Sequence, residues 1–141
     1  MTADLSHIDA WLFDLDNTLY PTSSGLMGEI ERRMTDYVER LTGLPRDEAY
    51  KLQKKYLAEY GLTLSGLIEH HGVDPAEYHA MFDDLPLESL AENPELIAAI
   101  ERLPGRRLIF TNANDVHAQR VLAHLGLAHL FDDVFHIALS A

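Results

Sequence analysis

The chain has 141 residues, 47% hydrophobic and 24% charged, a composition typical of a folded globular protein rather than of a disordered one. The net charge of −12 argues against a nucleic-acid polymer or an anionic membrane as a partner, because both would repel the chain. The lack of cysteine excludes disulfides and thiolate chemistry, and the lack of a signal peptide or long apolar stretch leads us to expect a cytoplasmic protein.

The first predicted element is a strand over residues 8–13. The segment IDAWLF is short and mostly apolar, which favours a strand buried in a parallel sheet. Asp14 and Asp16 follow directly, and NTLYPTSSG then breaks the pattern with proline and a Ser-Ser-Gly turn signal. Two carboxylates so close together at the end of a buried strand are costly unless a cation or a reaction uses them.

Residues 22–90 carry helical patterns and no strand signal, which predicts an all-helical unit. The spacing of apolar residues, together with Pro45, the Asp74-Pro75 cap and the glycines after each segment, predicts four helices. They cover about residues 26–41, 45–60, 64–71 and 75–82.

The pattern changes after residue 90. Asn93-Pro94 begins a helix that reaches Leu103, and RRLIFTNAN forms a second apolar run. A further helix begins with Asn114 or Asp115 as its cap, and DDVFHIA is a third strand candidate. Strand, helix and strand at this spacing predict an α/β fold with a parallel sheet. We expect a Rossmann-like core in residues 1–21 and 91–141, and a helical cap in residues 22–90.

Polar residues follow the first two predicted strands. Asp14 and Asp16 end the first strand, and Thr111 and Asn112 end the second. Ligands of open parallel sheets bind outside the carboxyl ends of the strands, so these four residues should converge if the strands are neighbours. An isolated Asp-x-Asp is more often a solvated turn, and the second strand end is what favours a functional site.

The residue types at this edge suit phosphoryl transfer. Asp14 could attack phosphorus, and Asp16 could act as general acid and then as the base that activates water. Mg²⁺ would neutralise both carboxylates and the phosphate. The Thr111 hydroxyl and the backbone N–H groups of Leu15, Asp16 and Asn112 would hold phosphate oxygens.

The other polar clusters are expected to have surface or packing roles rather than catalytic ones. The adjacent His70 and His71 point about 100° apart on a helix, so they are not expected to bind a metal together. The lysines and Arg46 read as a solvated helix face, with an anion-facing surface as the alternative. The scattered histidines are assigned surface or packing roles; they are His7, His117, His124, His129 and His136.

FDLDNTLY and LIFTNAN resemble the first and second motifs of the haloacid dehalogenase-like hydrolase superfamily, and the helical insertion resembles its inserted cap. FDLDNTLYP, RLPGRRLIFTNA and HAQRVLAHLGLAHLFDDVFHIA are similar to its pyrimidine 5′-nucleotidase-like branch. The resemblance implies that Asp14 is the nucleophile and a Mg²⁺ ligand. It also implies that Asp16 is the acid/base with its carbonyl on Mg²⁺, and that Thr111 binds phosphate.

The family's third motif, a lysine beyond the third strand, and its fourth, acidic residues after the fourth strand, have no counterpart. The lysines are Lys51, Lys54 and Lys55, all in the predicted cap. The chain thus resembles the N-terminal two-thirds of such an enzyme, with a truncated Rossmann-like core. The first strand should then have an unpaired edge, which invites self-association, or the chain is a fragment of a longer protein.

The resemblance implies a Mg²⁺-dependent phosphatase of small phosphorylated metabolites, with nucleoside 5′-monophosphates as candidate substrates. The missing motifs support an alternative, a catalytically incomplete chain that acts as a binding or assembly module. A phosphomutase, which uses the same two aspartates, is a further alternative.

Overall fold

The computed structural model describes residues 6–16 and 18–136, which form three strands and six α-helices. The strands are β1 (Ala10–Phe13), β2 (Arg106–Thr111) and β3 (Asp133–His136). The helices are α1 (Leu26–Thr42), α2 (Arg46–Tyr60), α3 (Thr63–His71), α4 (Pro75–Ala80), α5 (Pro94–Glu101) and α6 (Asp115–His124). None of these described helices is long and apolar enough to span a bilayer.

The described residues divide into two compact units. Residues up to Ser24 and from Pro86 onward form one unit, which holds the sheet, α5 and α6. Gly25–Leu85 form the other, which holds α1 to α4.

The sheet is parallel, with the strand order β1-β2-β3. Phe13 of β1 lies opposite Ile109 of β2, and Thr111 of β2 lies opposite His136 of β3. The α/β fold with a parallel sheet, predicted from the sequence, is therefore confirmed. Within the described part of the chain β1 pairs with β2 alone, so one edge of β1 has no neighbour.

The two faces of the sheet differ. On one face Ile109 is fully buried, and the Arg107 guanidinium donates hydrogen bonds to the carbonyls of Ile100 and Glu101 at the end of α5. Side chains alternate between faces along a strand, so residues one position away from these point to the other side. That second face carries three large exposed apolar side chains, Leu12 (65%), Phe110 (54%) and Phe135 (45%).

Gly105 brings the end of the α5–β2 connection against the start of β1. Its φ is +82°, in the left-handed region that favours glycine, and an added Cβ would lie 2.4 Å from the backbone oxygen of Asp9. The next residue, Arg106, donates its N–H to that same oxygen at 2.9 Å. This close approach begins the pairing of β1 with β2.

Asparagine caps set the first residues of α5 and α6. Asn93 Oδ1 accepts from the N–H groups of Glu95 and Leu96, and Asn114 Oδ1 accepts from the N–H of His117 at 3.0 Å. The sequence left Asn114 and Asp115 as alternative caps for α6, and the structure shows that Asn114 is the cap. His117 consequently lies in the first turn of α6.

The helical unit has its own core. α1 packs on α2, α2 on α3 and α3 on α4, with Val38, Ala49 and Leu67 fully buried. One polar pair is enclosed in this core, where Thr35 Oγ1 donates to Gln53 Oε1 at 2.8 Å.

Some predicted boundaries were wrong by one or two residues. β1 begins at Ala10 rather than at residue 8, and α3 begins at Thr63. α4 ends at Ala80 rather than at residue 82, because the chain continues there in turns with i to i+3 hydrogen bonds. The last two residues of the third predicted strand lie outside the described residues.

Candidate functional site

The predicted site residues lie at the carboxyl edge of the sheet. Asp14 follows Phe13 directly, and Thr111 lies two positions beyond Ile109, the partner of Phe13. Because the strands are parallel and paired in this register, Asp14 and Thr111 leave the sheet at the same edge.

A turn that begins at Leu15 follows Asp14. The side chain of Leu15 is fully buried, whereas Asp14 is exposed. The Leu15 carbonyl accepts the N–H of Leu19 at 3.0 Å, which closes the turn. The Leu15 N–H donates to Asp14 Oδ1 at 2.8 Å, so a phosphate oxygen that used this N–H would have to replace the Asp14 carboxylate.

Asp16 is held by two donors on one oxygen. Its Oδ1 accepts from the Tyr20 hydroxyl at 2.6 Å and contacts Nε2 of His117 at 3.0 Å. A carboxylate oxygen can only accept, so the proton of the second hydrogen bond lies on Nε2. Among the described residues, none donates to Oδ2 of Asp16.

The surroundings of Asp16 change its pKa in opposite directions. Burial makes the largest contribution and raises the pKa, while the hydrogen bond and charge of His117 and the Tyr20 hydroxyl lower it. The lowering contributions together outweigh burial, so the pKa of Asp16 lies below its ordinary value. A lowered pKa favours the carboxylate, the form that a general base requires, and disfavours the protonated form that a general acid requires.

The second strand end supplies a hydroxyl and an amide. Thr111 is buried, and its Oγ1 accepts the N–H of Ala113 at 3.1 Å, which leaves the hydroxyl proton available to donate. Asn112 is exposed at the same edge.

The donor atoms at this edge fit Mg²⁺. Asp14 offers an exposed carboxylate, and Mg²⁺ binds proteins through one or two carboxylates while it keeps several waters. Within residues 6–16 and 18–136, no group of three or more acidic or histidine side chains forms a complete metal cage.

His117 and Tyr20 contact Asp16, and the sequence analysis did not predict either contact. His117 was assigned a surface or packing role; its side chain is buried, 3% exposed, and its Nε2 also contacts Asp16. The sequence carries a signal for each of the two residues. α6 begins just beyond β2, so its first turn lies at the carboxyl edge of the sheet, and Tyr20 lies four residues after Asp16 in a turn.

The other polar clusters have local partners. The hydroxyls of Tyr56 and Tyr60 contact Nε2 of His71 and His70, which fits a packing role for both histidines. Lys54 forms an ion pair with Glu31 at 2.5 Å. Arg46 likewise pairs with two carboxylates, those of Asp36 and Glu39. These two cations are therefore neutralised within the helical unit, which fits the solvated helix face rather than an anion-facing surface.

Comparison with known proteins identifies relatives that match most of the chain. Residues 8–140 match the family of haloacid dehalogenase-like hydrolases. Phosphate metabolism protein 8 of Saccharomyces cerevisiae is 33% identical over 134 residues, which cover 88% of this chain and 42% of the yeast protein.

Among solved structures, a HAD phosphatase from Thermococcus onnurineus superimposes with a TM-score of 0.60 at 22% identity. The match covers 92% of this chain and 62% of that one, and at this identity the likeness shows the fold alone. The chain spans less than two-thirds of the length of both relatives.

Proposed function

The chain belongs to the haloacid dehalogenase-like hydrolase family, and from this premise we propose that it is a Mg²⁺-dependent phosphatase of small phosphomonoesters. One observation carries the proposal. An exposed carboxylate, Asp14, directly follows β1 and lies two residues before Asp16, whose carboxylate accepts from two donors. Nucleoside 5′-monophosphates are the substrates we propose, because the motif segments resemble the pyrimidine 5′-nucleotidase-like branch.

The proposed reaction has two steps. Asp16 first takes up a proton from solvent. The Asp14 carboxylate then attacks phosphorus, the bond to the leaving oxygen breaks, and the protonated Asp16 gives its proton to that oxygen. Asp16, then a carboxylate, removes a proton from water, which attacks the aspartyl-phosphate and releases phosphate from Asp14. The Thr111 hydroxyl donates to a phosphate oxygen during both steps.

Mg²⁺, held by the Asp14 carboxylate and the Asp16 backbone carbonyl, would neutralise negative charge on the substrate and on the nearby carboxylates. A cation has a particular purpose in this chain, because a net charge of −12 repels an anionic substrate.

Hydrolysis of a generic aryl phosphate with Mg²⁺ tests the proposal. We expect Asp14→Asn to abolish turnover and Asp16→Asn to reduce it by about 100-fold or more. Asp47→Asn in the first turn of α2 makes the same chemical change at an exposed position of the helical unit and serves as the matched control. Turnover by Asp14→Asn equal to that of the wild type would contradict the proposal.

The exposed sheet face favours a second candidate, a binding or assembly module that associates with itself at the β1 edge. β1 has one neighbour within the described residues, and Leu12 beside the open edge is 65% exposed. Sedimentation velocity should show concentration-dependent association that Leu12→Lys weakens. A monomer at every concentration would contradict this, and a folded chain without turnover would favour the module over the enzyme.

A further inference from the structure

We propose that His117 and Tyr20 are positioning residues that hold the Asp16 carboxylate in one orientation, with Oδ1 occupied and with Oδ2, which accepts no hydrogen bond from the described residues, directed to the substrate. The catalytic meaning of this inference rests on the proposed phosphatase function. The orientation itself is a property of the folded chain.

The two donors restrict Asp16 from different parts of the fold. Tyr20 belongs to the turn after β1, and its hydroxyl lies 2.6 Å from Oδ1. His117 comes from the first turn of α6, about a hundred positions along the chain, and its Nε2 lies 3.0 Å from the same oxygen. A carboxylate bound from two directions at Oδ1 loses its freedom to rotate, so Oδ2 keeps one direction in space.

His117 is a rigid support for this contact. Its backbone N–H is bound by the Asn114 cap at 3.0 Å, and its neighbours Ala118 and Val121 are fully buried. The side chain is 3% exposed, which leaves the ring little room to turn. The position of Nε2 is therefore set by the capped, packed end of α6.

The other ring nitrogen argues for a role beyond packing. Nδ1 of His117 is buried and has no hydrogen-bond partner among the described residues. An unpaired buried polar atom destabilises the folded state, and such atoms in native proteins call for an explanation. A leucine of similar size would fill this space without that cost, but it could not donate to Asp16.

These contacts give the two carboxylate oxygens of Asp16 different roles. Oδ1 carries both hydrogen bonds, whereas Oδ2 accepts none from the described residues. Oδ2 is then the oxygen that gives a proton to the leaving group and later takes one from water. Loss of either donor should slow the chemical step while substrate binding, which we place on Asp14 and Thr111, persists.

Kinetics with matched variants test the positioning role. We expect His117→Leu to lower kcat by about 10-fold to 100-fold with KM within about threefold. His117→Gln keeps an amide donor near the place of Nε2 and should recover most of kcat. Tyr20→Phe should also lower kcat, because each of the two variants leaves only one donor on Oδ1. His129→Gln, at an exposed histidine, should leave kcat unchanged.

Imidazole ¹H–¹⁵N spectra of the 141-residue chain supply a readout without turnover. The Nε2 proton of His117 should exchange slowly with water, be lost or shifted in Asp16→Ala, and persist in Tyr20→Phe. The exposed His129 ring should show no such protected proton. A His117 signal that exchanges as fast as that of His129, or is unchanged in Asp16→Ala, would overturn the proposal.

The two measurements separate this inference from the proposed function. A wild-type chain without turnover that shows the protected proton refutes the phosphatase and supports the orientation of Asp16. An active wild type with undiminished kcat in folded His117→Leu and Tyr20→Phe refutes the positioning role alone. If His117→Leu does not fold, Tyr20→Phe and the recovery in His117→Gln decide the question.

Discussion

Gly105→Ala should be much more destabilising than the same change at other left-handed glycines. At Gly105 the φ of +82° is combined with a close contact, since an added Cβ would lie 2.4 Å from the Asp9 oxygen. Gly43, after α1, has a similar φ of +73° but nothing within 4 Å of an added Cβ. The pair therefore separates the cost of the backbone conformation from the cost of the close approach.

The magnitudes follow from the contacts. A left-handed alanine costs roughly 1–2 kcal/mol, partly offset by the lower entropy of the unfolded chain, so Gly43→Ala should cost about 1 kcal/mol. Gly105→Ala adds the displacement of the β1 backbone, about 1–3 kcal/mol, and the weakening of the 2.9 Å Arg106–Asp9 hydrogen bond, about 1 kcal/mol. Its total of about 3–5 kcal/mol is a large part of the stability of an ordinary domain.

Urea unfolding followed by far-UV circular dichroism measures the loss of unfolding free energy for both variants, and tryptophan fluorescence follows the sheet unit that holds Gly105. The single tryptophan, Trp11, lies in β1, and its indole N–H donates to the Pro104 carbonyl at 2.7 Å beside the substituted turn. Gly105→Ala should lose more unfolding free energy than Gly43→Ala and should shift the Trp11 transition to lower urea. Equal losses of unfolding free energy would refute the argument from the close approach.

Two further predictions concern the helical unit. Thr35→Val should lower the free energy of unfolding by about 1–3 kcal/mol, because it leaves the buried Gln53 Oε1 without its donor. The buried Nε2 of the same side chain already has no partner among the described residues. Gln53→Met removes both atoms and should stay within about 1 kcal/mol of the wild type in thermal unfolding. Burial raises the pKa of Tyr78, so its contribution to stability is complete below the ordinary tyrosine pKa and is lost as pH rises through the folded value. The free energy of unfolding of the wild type should therefore fall by up to about 1.4 kcal/mol per pH unit above pH ~10, and Tyr78→Phe should remove this fall. Tyr50→Phe, at an exposed ring, should not remove it.

Both predictions for the helical unit can be contradicted by experiment. A Gln53→Met variant less stable than Thr35→Val would mean that the amide makes a contribution that its hydrogen bonds do not explain. An unchanged alkaline slope in Tyr78→Phe would mean that this ring does not titrate before the unit unfolds.

The elements of the fold were predictable because their signals are local. Apolar runs gave the strands, and Asn93 with Pro94 gave the beginning of α5. The choice between Asn114 and Asp115 as the cap of α6 was not predictable, because both side chains can accept from the first turn. The structure decides it by geometry, with Asn114 Oδ1 3.0 Å from the N–H of His117.

The site was predictable only in part, because only some of its residues are marked by a local pattern. Asp14 and Thr111 each end an apolar strand, which a local pattern reveals. The contact between Asp16 and His117 joins two segments on either side of the helical insertion, and it depends on the register of β1 with β2 and on the rotation of α6. No periodicity in one segment carries that information.

The interruption of the sheet unit by the helical unit also governs the order of events during synthesis. At about 5–20 residues per second, β2 leaves the ribosome on the order of 5–20 s after β1, because the whole of Gly25–Leu85 is made between them. The helices of that segment contact their sequence neighbours and can fold in this interval, whereas β1 must wait for its partner. Leu12 and Phe13 are thus exposed to chaperones and to other nascent chains for far longer than the helices need to form.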